Sequence, residues 1–174
     1  MSEQSAGALD ALDVALLSLI RANPRAGALE LSRLARVARA TVQSRLQRME
    51  STGIITGYGP DLDLTAAGFP VHAFVSLEIA QGALELVADE LAQIPGIIEA
   101  YATTGTSDVL CRIAATSHQD LQETLLALNR TTTVVRSTST IVLSVVVAPR
   151  VLPLLESARL HTSGRAPAYR EPSA

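Results

Sequence analysis

The spacing of apolar residues divides the chain into two regions with different periods. In residues 1–56 apolar side chains recur every three to four positions, which predicts amphipathic helices. From residue 71 they alternate with polar side chains, which predicts half-buried strands with helices between them. Residues 57–70 contain glycine, proline and small residues and predict a hinge strand and linker. We therefore expect two small domains, residues 1–56 and 71–150, and a tail over residues 151–174 that is disordered at its end.

Three short helices are predicted in the first region. The first covers residues 9–22 and ends at Asn23-Pro24, because the residue before a proline disfavours helical geometry. The second follows Gly27 as N-cap, and the third runs over residues 39–51 until Thr52-Gly53 stops it, with Gly53 in a left-handed C-cap. A brief turn at residues 36–38 joins the second helix to the third. This is the layout of a helix-turn-helix.

The third helix has one apolar side and one polar side. Val42, Leu46 and Met49 recur at helical spacing and are expected to face the other two helices. The opposite side carries hydroxyls, amides and guanidiniums, which can donate to base edges and to phosphates in a DNA major groove. We expect base contacts from Gln43, Ser44 and Arg45. The flanking Arg39, Thr41 and Arg48 are expected to hold phosphates. The alternative is a small helical bundle that binds a protein partner.

In the second region the order of predicted elements is β-α-β-β-α-β, the ferredoxin-like or split βαβ arrangement. The first strand starts at Val71, and two more strands flank the loop Gly105-Thr106-Ser107-Asp108. Ser117 caps the second helix of this region. A long β-branched run, residues 134–147, is predicted as the last strand. The fold class is therefore α+β with two domains: a winged-type helix-turn-helix, then an αβ-sandwich.

Charge is distributed unevenly along the chain. The net charge is −3, yet all 14 basic residues are arginine. Seven of them lie between residues 21 and 50, where only Glu30 and Glu50 oppose them, so this stretch carries +5. A basic segment on an acidic chain indicates a local contact with nucleic acid. The alternative is a solvated helical face.

Other chemistry is weakly indicated. The single Cys111 is incompatible with an internal disulfide framework and fits a reducing cytoplasm. His72, His118 and His161 are far apart and lack metal-ligand spacing, and phosphate-binding glycine loops are absent from the sequence. No secretory signal and no apolar run long enough to span a bilayer are evident. We therefore expect a cytoplasmic protein that is not an enzyme and has no metal or cofactor.

Several short motifs, taken in order, resemble one family of bacterial regulators. They are Leu9-Asp10-x-x-Asp13, Glu30-Leu31-Ser32-x-x-Ala35, Val42-x-x-Arg45-Leu46-x-Arg48-Met49-Glu50, Gly53-Ile54-Ile55-x-Gly57-Tyr58, residues 68–75, Gly105-x-x-Asp108 and Thr138-x-Thr140. Together they resemble the leucine-responsive/AsnC-type, or feast/famine, transcriptional regulators over about residues 9–150.

This resemblance implies a regulator whose helix-turn-helix binds duplex DNA and whose sandwich domains pair into dimers, often building tetramers or octamers. It also implies a small effector, commonly an amino acid, held near the Gly-x-x-Asp loop. In this chain the loop is Gly105, Thr106, Ser107 and Asp108. The alternative is that these residues only turn a β-hairpin, a role for which glycine and aspartate are equally suited.

Three positions depart from the pattern of the family. Arg36 replaces the glycine that many members have in the turn, and Ala38 replaces a serine N-cap. Ser107 replaces an aromatic residue before the loop aspartate, so the effector does not transfer from the resemblance. Two alternatives to a regulator follow: an enzyme resembling the tetrapyrrole decarboxylases of the same layout, and a ligand-binding or assembly partner that does not bind DNA.

Overall fold

The computed structural model describes residues 9–157. The end of the predicted tail and His161 lie outside this range. The described residues form two compact units: residues 9–60 together with residues 148–157, and residues 61–147. The elements in chain order are α1 Ala11–Ala22, α2 Ala28–Ala35, α3 Arg39–Ser51, β1 Val71–Ile79, α4 Leu84–Ala92, β2 Ile97–Ala102, β3 Val109–Ala115, α5 His118–Asn129, β4 Val134–Ile141 and α6 Leu152–Ser157.

The first unit is built around the three predicted helices. Asp10 is the N-cap of α1, and its side chain and that of Asp13 each accept from the other's backbone N–H, forming a reciprocal capping box. Leu16, Leu31 and Val42, one from each helix, form the fully buried centre. The predicted N-cap Gly27 and the predicted bounds of α3 are confirmed.

The segment after α3 differs from the predicted hinge strand. Gly53 takes a positive φ of 73° directly after the helix, as expected of a left-handed helix end. From residue 54 to residue 70 the structure contains turns and extended backbone, and none of these residues pairs as a strand. Tyr58 instead returns to α3 by donating to Glu50, with 2.6 Å between Tyr58 Oη and Glu50 Oε1.

The second unit is a four-stranded antiparallel sheet in the order β2-β3-β1-β4, with α4 and α5 on one face. Alternate residues of β1, Ala73, Val75 and Leu77, are fully buried against these helices. Val87 of α4 and Leu128 of α5 complete the same core. The predicted ferredoxin-like topology is confirmed.

The last strand is shorter than predicted. The β-branched run continues to residue 147, but β4 ends at Ile141. Ile141 lies opposite Ala73, and Val142 still donates to the carbonyl of His72, close to the point where β1 begins. No residue beyond Ile141 is assigned to a strand, and Leu143 and Val146 are 97% and 92% exposed. β-propensity correctly predicted a strand here but not its end, because the neighbouring strand also decides how far a strand can pair.

The first residues of the predicted tail are ordered as a helix that the sequence analysis did not predict. Residues 152–157 form the helix α6, which contacts α1 within the first unit. Ser18 of α1 donates to Glu156 across this contact, with 3.5 Å between the oxygens.

Candidate nucleic-acid interface

The inner side of α3 anchors the helix in the first unit. Val42 and Met49 are fully buried, and Leu46 is half-buried against the cluster of Leu16 and Leu31. These positions were predicted from the spacing of apolar residues. Because they fix the rotation of α3 about its axis, they also determine which of its polar side chains reach solvent.

Three of the six predicted DNA contacts are exposed. Arg39, Gln43 and Ser44 are exposed on the side of α3 opposite the core, and Thr41 is half-buried. Gln47, one turn beyond Gln43, is also exposed. The exposed side therefore offers a guanidinium, a hydroxyl and two amides, all of which can donate to or accept from DNA.

Arg45 and Arg48 are half-buried and paired with carboxylates, and their predicted DNA contacts stay a prediction. Arg45 donates to Asp10 and lies 3.2 Å from Asp13, measured from Nη1 to Oδ1, while Arg48 Nη2 lies 2.5 Å from Asp13 Oδ2. Both arginines link α3 to α1. The physical reason is the fully buried carboxylate of Asp13, which requires a cation partner.

Beyond the spacing of apolar residues, the sequence contains a signal for these ion pairs. Asp13 lies four residues after Leu9 and three before Leu16, so it falls on the apolar side of the first helix. A carboxylate on a buried face predicts a basic partner on the opposing helix. In the structure burial raises the pKa of Asp10, but hydrogen bonds from the Asp13 N–H and from Arg45 outweigh it, so the net pKa is lowered. The pKa of Arg45 is raised, first by its hydrogen bond to Asp10.

The turn before α3 has two unusual residues. Arg36 is the C-cap of α2 and lies in the left-handed region, with φ 55° and ψ 41°. For a residue with a side chain this backbone conformation costs about 1–2 kcal/mol. Ala38 is the N-cap of α3 and has the extended backbone that this position needs, but no side-chain oxygen to accept from the helix.

The predicted effector loop is the connection between β2 and β3. Gly105 has a φ of 124°, which a side chain would not tolerate. The backbone of Thr103 donates to the carbonyl of Asp108, which closes the loop as a hairpin. The Oδ2 of Asp108 accepts from the backbone N–H of Ile79 at 2.9 Å, so one of its two oxygens holds the end of β1. Thr106 is exposed and Ser107 is half-buried.

Neither a metal cluster nor a membrane-spanning helix is present in the part of the chain that the structure describes. Residues 9–157 contain no group of three or more histidine, cysteine, aspartate or glutamate side chains that could hold a metal. None of their helices is long and apolar enough to cross a bilayer. His72 contacts the carbonyl of Phe69 at 2.9 Å, and His118 is exposed at the start of α5.

A trihelical unit with a tight turn before an exposed, donor-rich third helix defines a helix-turn-helix DNA-binding protein. Comparison with protein families assigns the first unit to the same class and also identifies the second unit. Residues 9–56 match the winged helix-turn-helix DNA-binding family, and residues 72–152 match the Lrp/AsnC ligand binding domain. The chain belongs to the Lrp/AsnC family and is an HTH-type transcriptional regulator.

Individual relatives agree with this assignment. The HTH-type transcriptional regulator Ptr1 of Methanocaldococcus jannaschii is 32% identical over 103 residues, which are 59% of this chain and 70% of Ptr1. Two solved structures, each 24% identical, share the fold. E. coli AsnC has a TM-score of 0.77 and covers 83% of this chain and 99% of its own. NMB0573 of Neisseria meningitidis, a transcriptional regulator in complex with L-Met, has a TM-score of 0.73 and covers 80% of this chain and 93% of its own.

Proposed function

We propose that this regulator reads duplex DNA with the exposed side of α3 and that it does so as a dimer whose DNA binding responds to an amino acid. The observation that carries the DNA contact is the exposure of Arg39, Gln43 and Ser44 on a helix whose other side is fully packed. Glutamine can pair with adenine N6 and N7, and serine can pair with several base edges. Arg39 and Thr41 flank them and suit phosphate contacts.

Arg45 and Arg48 take a different role in this proposal from the one that their sequence positions suggest. Their carboxylate partners on α1 neutralise them, and releasing Arg48 would leave the buried Asp13 without one of its cations. We assign both arginines to holding α3 in register with α1, so that Gln43 and Ser44 are presented at a fixed angle. This assignment moves base recognition to the first half of α3.

The experiment is a binding titration against the DNA upstream of the protein's own coding region, compared with unrelated duplex DNA of equal length. Gln43→Ala is expected to reduce the preference for the specific site by about 1–3 kcal/mol with little change on unrelated DNA. Gln122→Ala, which changes an exposed glutamine on α5, is the matched control. Equal loss of affinity on both duplexes would assign Gln43 to the phosphates instead.

The dimer is supported by the face of the sheet that the helices leave uncovered. Phe74 of β1 and Tyr101 of β2 are 42% and 55% exposed there. Two ion pairs, Glu99 with Arg112 and Glu78 with Arg136, lie on the same face. A mixed apolar and charged face suits a symmetric contact, because both copies present the same complementary groups. Paired recognition helices would then enter major grooves roughly 34 Å apart.

Light scattering on the intact chain tests this dimer. We expect Phe74→Glu to lower the mass to that of a monomer, and Leu126→Glu, the same kind of change on the helical side, to leave a dimer. A tetramer or octamer for the unchanged protein would place further contacts outside this face. A monomeric unchanged protein would contradict the proposal.

The effector proposal concerns the loop Gly105, Thr106, Ser107 and Asp108. It is supported by the match of residues 72–152 to a ligand-binding domain and by the relative that holds L-Met. Gly105 has no side chain and open space where a Cβ would lie, so a carboxylate can approach its backbone, and Asp108 retains Oδ1 for an ammonium group. A ligand here changes DNA binding only by its difference in affinity between assembly states.

A thermal-shift and DNA-binding screen against the twenty amino acids tests this part. At least one amino acid is expected to change the melting temperature or the DNA affinity, and Asp108→Asn is expected to remove the response. Asp89→Asn, at an exposed position on α4, is the control. A response that survives in Asp108→Asn would remove Asp108 from the site, and no response in the unchanged protein would remove the effector.

A further inference from the structure

The left-handed turn before α3 holds an arginine whose side chain has no partner among residues 9–157. Arg36 is the only residue other than glycine with a positive φ among residues 9–157. Its backbone is fixed by the end of α2, where its own N–H donates toward Arg33 and the N–H of Val37 donates to Ser32. The turn therefore needs this backbone conformation but not this side chain. Glycine would satisfy it without strain.

The hydrogen bonds at the end of α2 hold the backbone of Arg36, but its side chain adds no bond to a described residue that would offset the strain. Its guanidinium is exposed and makes no hydrogen bond or ion pair with any described residue. Strained residues persist where the surrounding structure fixes their backbone, and they cluster at ligand-binding and switch sites. Since no described residue pairs with the Arg36 guanidinium, its charge is available to a ligand.

Two further arginines flank Arg36. Arg33 lies in the last turn of α2 and Arg39 is the first residue of α3, so the three are spaced three residues apart around the turn. All three are exposed and have no acidic partner in the described structure. No aspartate or glutamate occurs from residue 31 to residue 49. We call these residues the turn arginines.

The turn arginines differ from the arginines in the second half of α3. Arg45 and Arg48 are neutralised by the carboxylates of Asp10 and Asp13. The uncompensated positive charge of this helix pair is therefore concentrated at its turn. Recognition helices of this type contact bases with their N-terminal residues, so the turn lies at the end of α3 that approaches the groove.

We propose that Arg33, Arg36 and Arg39 together bind phosphates of the DNA backbone beside the groove that α3 enters. This inference rests on the proposed DNA contact of α3 and adds Arg33 and Arg36 to it. A guanidinium matches a phosphate through two parallel hydrogen bonds, so each of the three arginines can hold one phosphate. Such contacts set orientation and affinity and carry no base preference.

A single variant tests the inference through two opposite effects, one on stability and one on DNA affinity, because Arg36 contributes both backbone strain and a positive charge. Arg36→Gly removes both the strain and the charge. We expect its melting temperature to rise, while its affinity for specific and unrelated duplex DNA falls by a similar factor, about eightfold at 0.1 M salt. The slope of log affinity against log salt is expected to become shallower by about 1. Arg36→Lys keeps the charge and is expected to retain most of the affinity.

Arg130→Ala, which removes an exposed arginine after α5, is the control for the general effect of net charge. The inference is overturned if Arg36→Gly is more stable but binds both duplexes with unchanged affinity and salt slope. It is also overturned if only the specific duplex is affected, because Arg36 would then contact a base. If the unchanged protein binds no duplex, the proposed function itself fails. If it binds and only the Arg36 result is negative, this inference alone fails.

Discussion

Asp13 of α1 and Arg48 of α3 form an ion pair in which the carboxylate is fully buried and the guanidinium reaches it from the edge of the unit, with 2.5 Å between Oδ2 and Nη2. Arg45 approaches the same carboxylate from one turn earlier. A buried charge is tolerated only when it is paired and hydrogen-bonded. The orientation of the recognition helix therefore depends on a residue outside it.

The first prediction follows from this burial. Asp13→Ala removes the carboxylate that two arginines share, and it also removes half of the capping box of α1. We expect a loss of about 3–5 kcal/mol in the free energy of unfolding, the range seen when one partner of a buried pair is deleted. Urea denaturation of the intact protein measures it. Glu30→Gln, at an exposed position on α2, is the control and should change stability by less than about 0.5 kcal/mol. A loss below 1 kcal/mol for Asp13→Ala would contradict the structural role of the pair.

The uncapped start of α3 gives the second prediction. Ala38 has φ −62° and ψ 143°, the extended conformation of an N-cap residue. A serine here can accept a hydrogen bond from a first-turn N–H, so Ala38→Ser is expected to stabilise the protein by about 0.5–1 kcal/mol. Chemical denaturation checks the gain. Ala40→Ser, two residues further into the same turn, lies inside the helix and should be neutral or slightly destabilising. Equal effects of the two changes would mean that capping is not the cause.

The third prediction concerns pH and the second unit. Glu90 of α4 accepts hydrogen bonds from Thr133 and Thr132, and these bonds hold the loop before β4. The backbone nitrogen of Thr132 lies 3.1 Å from Oε1 of Glu90. The Thr133 hydroxyl, then the Thr132 hydroxyl, lower the pKa of Glu90 below its ordinary value of 4.5. A lowered pKa stabilises the fold above pH 4.5, and this contribution is lost as the pH falls through the folded-state pKa.

Glu90→Gln should therefore be less stable than the unchanged protein at pH 7, and the difference should shrink as the pH falls below about 4.5. Denaturation curves at a series of pH values measure this difference. Glu85→Gln, at an exposed position on the same helix, is the control. Its difference in stability from the unchanged protein should not show the pH dependence that these threonines cause at Glu90. A gap between Glu90→Gln and the unchanged protein that widens on acidification would show the opposite linkage.

Where the signal is local, the sequence alone is sufficient to predict the structure. The ends of α3 follow from the turn residues before it and from Gly53 after it, and the structure has them at Arg39 and Ser51. The topology of the second unit follows from the order of periodic segments, because few other arrangements connect them.

What the sequence does not predict depends on contacts between distant residues. β4 ends near the point where its partner β1 begins, and the β-propensity of residues 134–147 carries no information about that point. The direction of Arg45 and Arg48 is set by Asp13, more than thirty residues earlier. Local spacing correctly assigned both arginines to the polar side of α3, but the carboxylates of another helix determine where their side chains end.

The last prediction concerns the reactivity of the single cysteine. Cys111 is fully buried in β3, and burial raises the pKa of its thiol to about 11. The thiolate is the reactive form, so at pH 8 only about one thiol in a thousand is ionised. We expect the native protein to react with an aromatic disulfide reagent only as fast as it unfolds, and to react at once in urea. A protein carrying Cys111→Ala and Ser144→Cys, with its thiol at an exposed position, should react immediately when native. Rapid labelling of Cys111 without urea would mean that the sheet opens locally at β3.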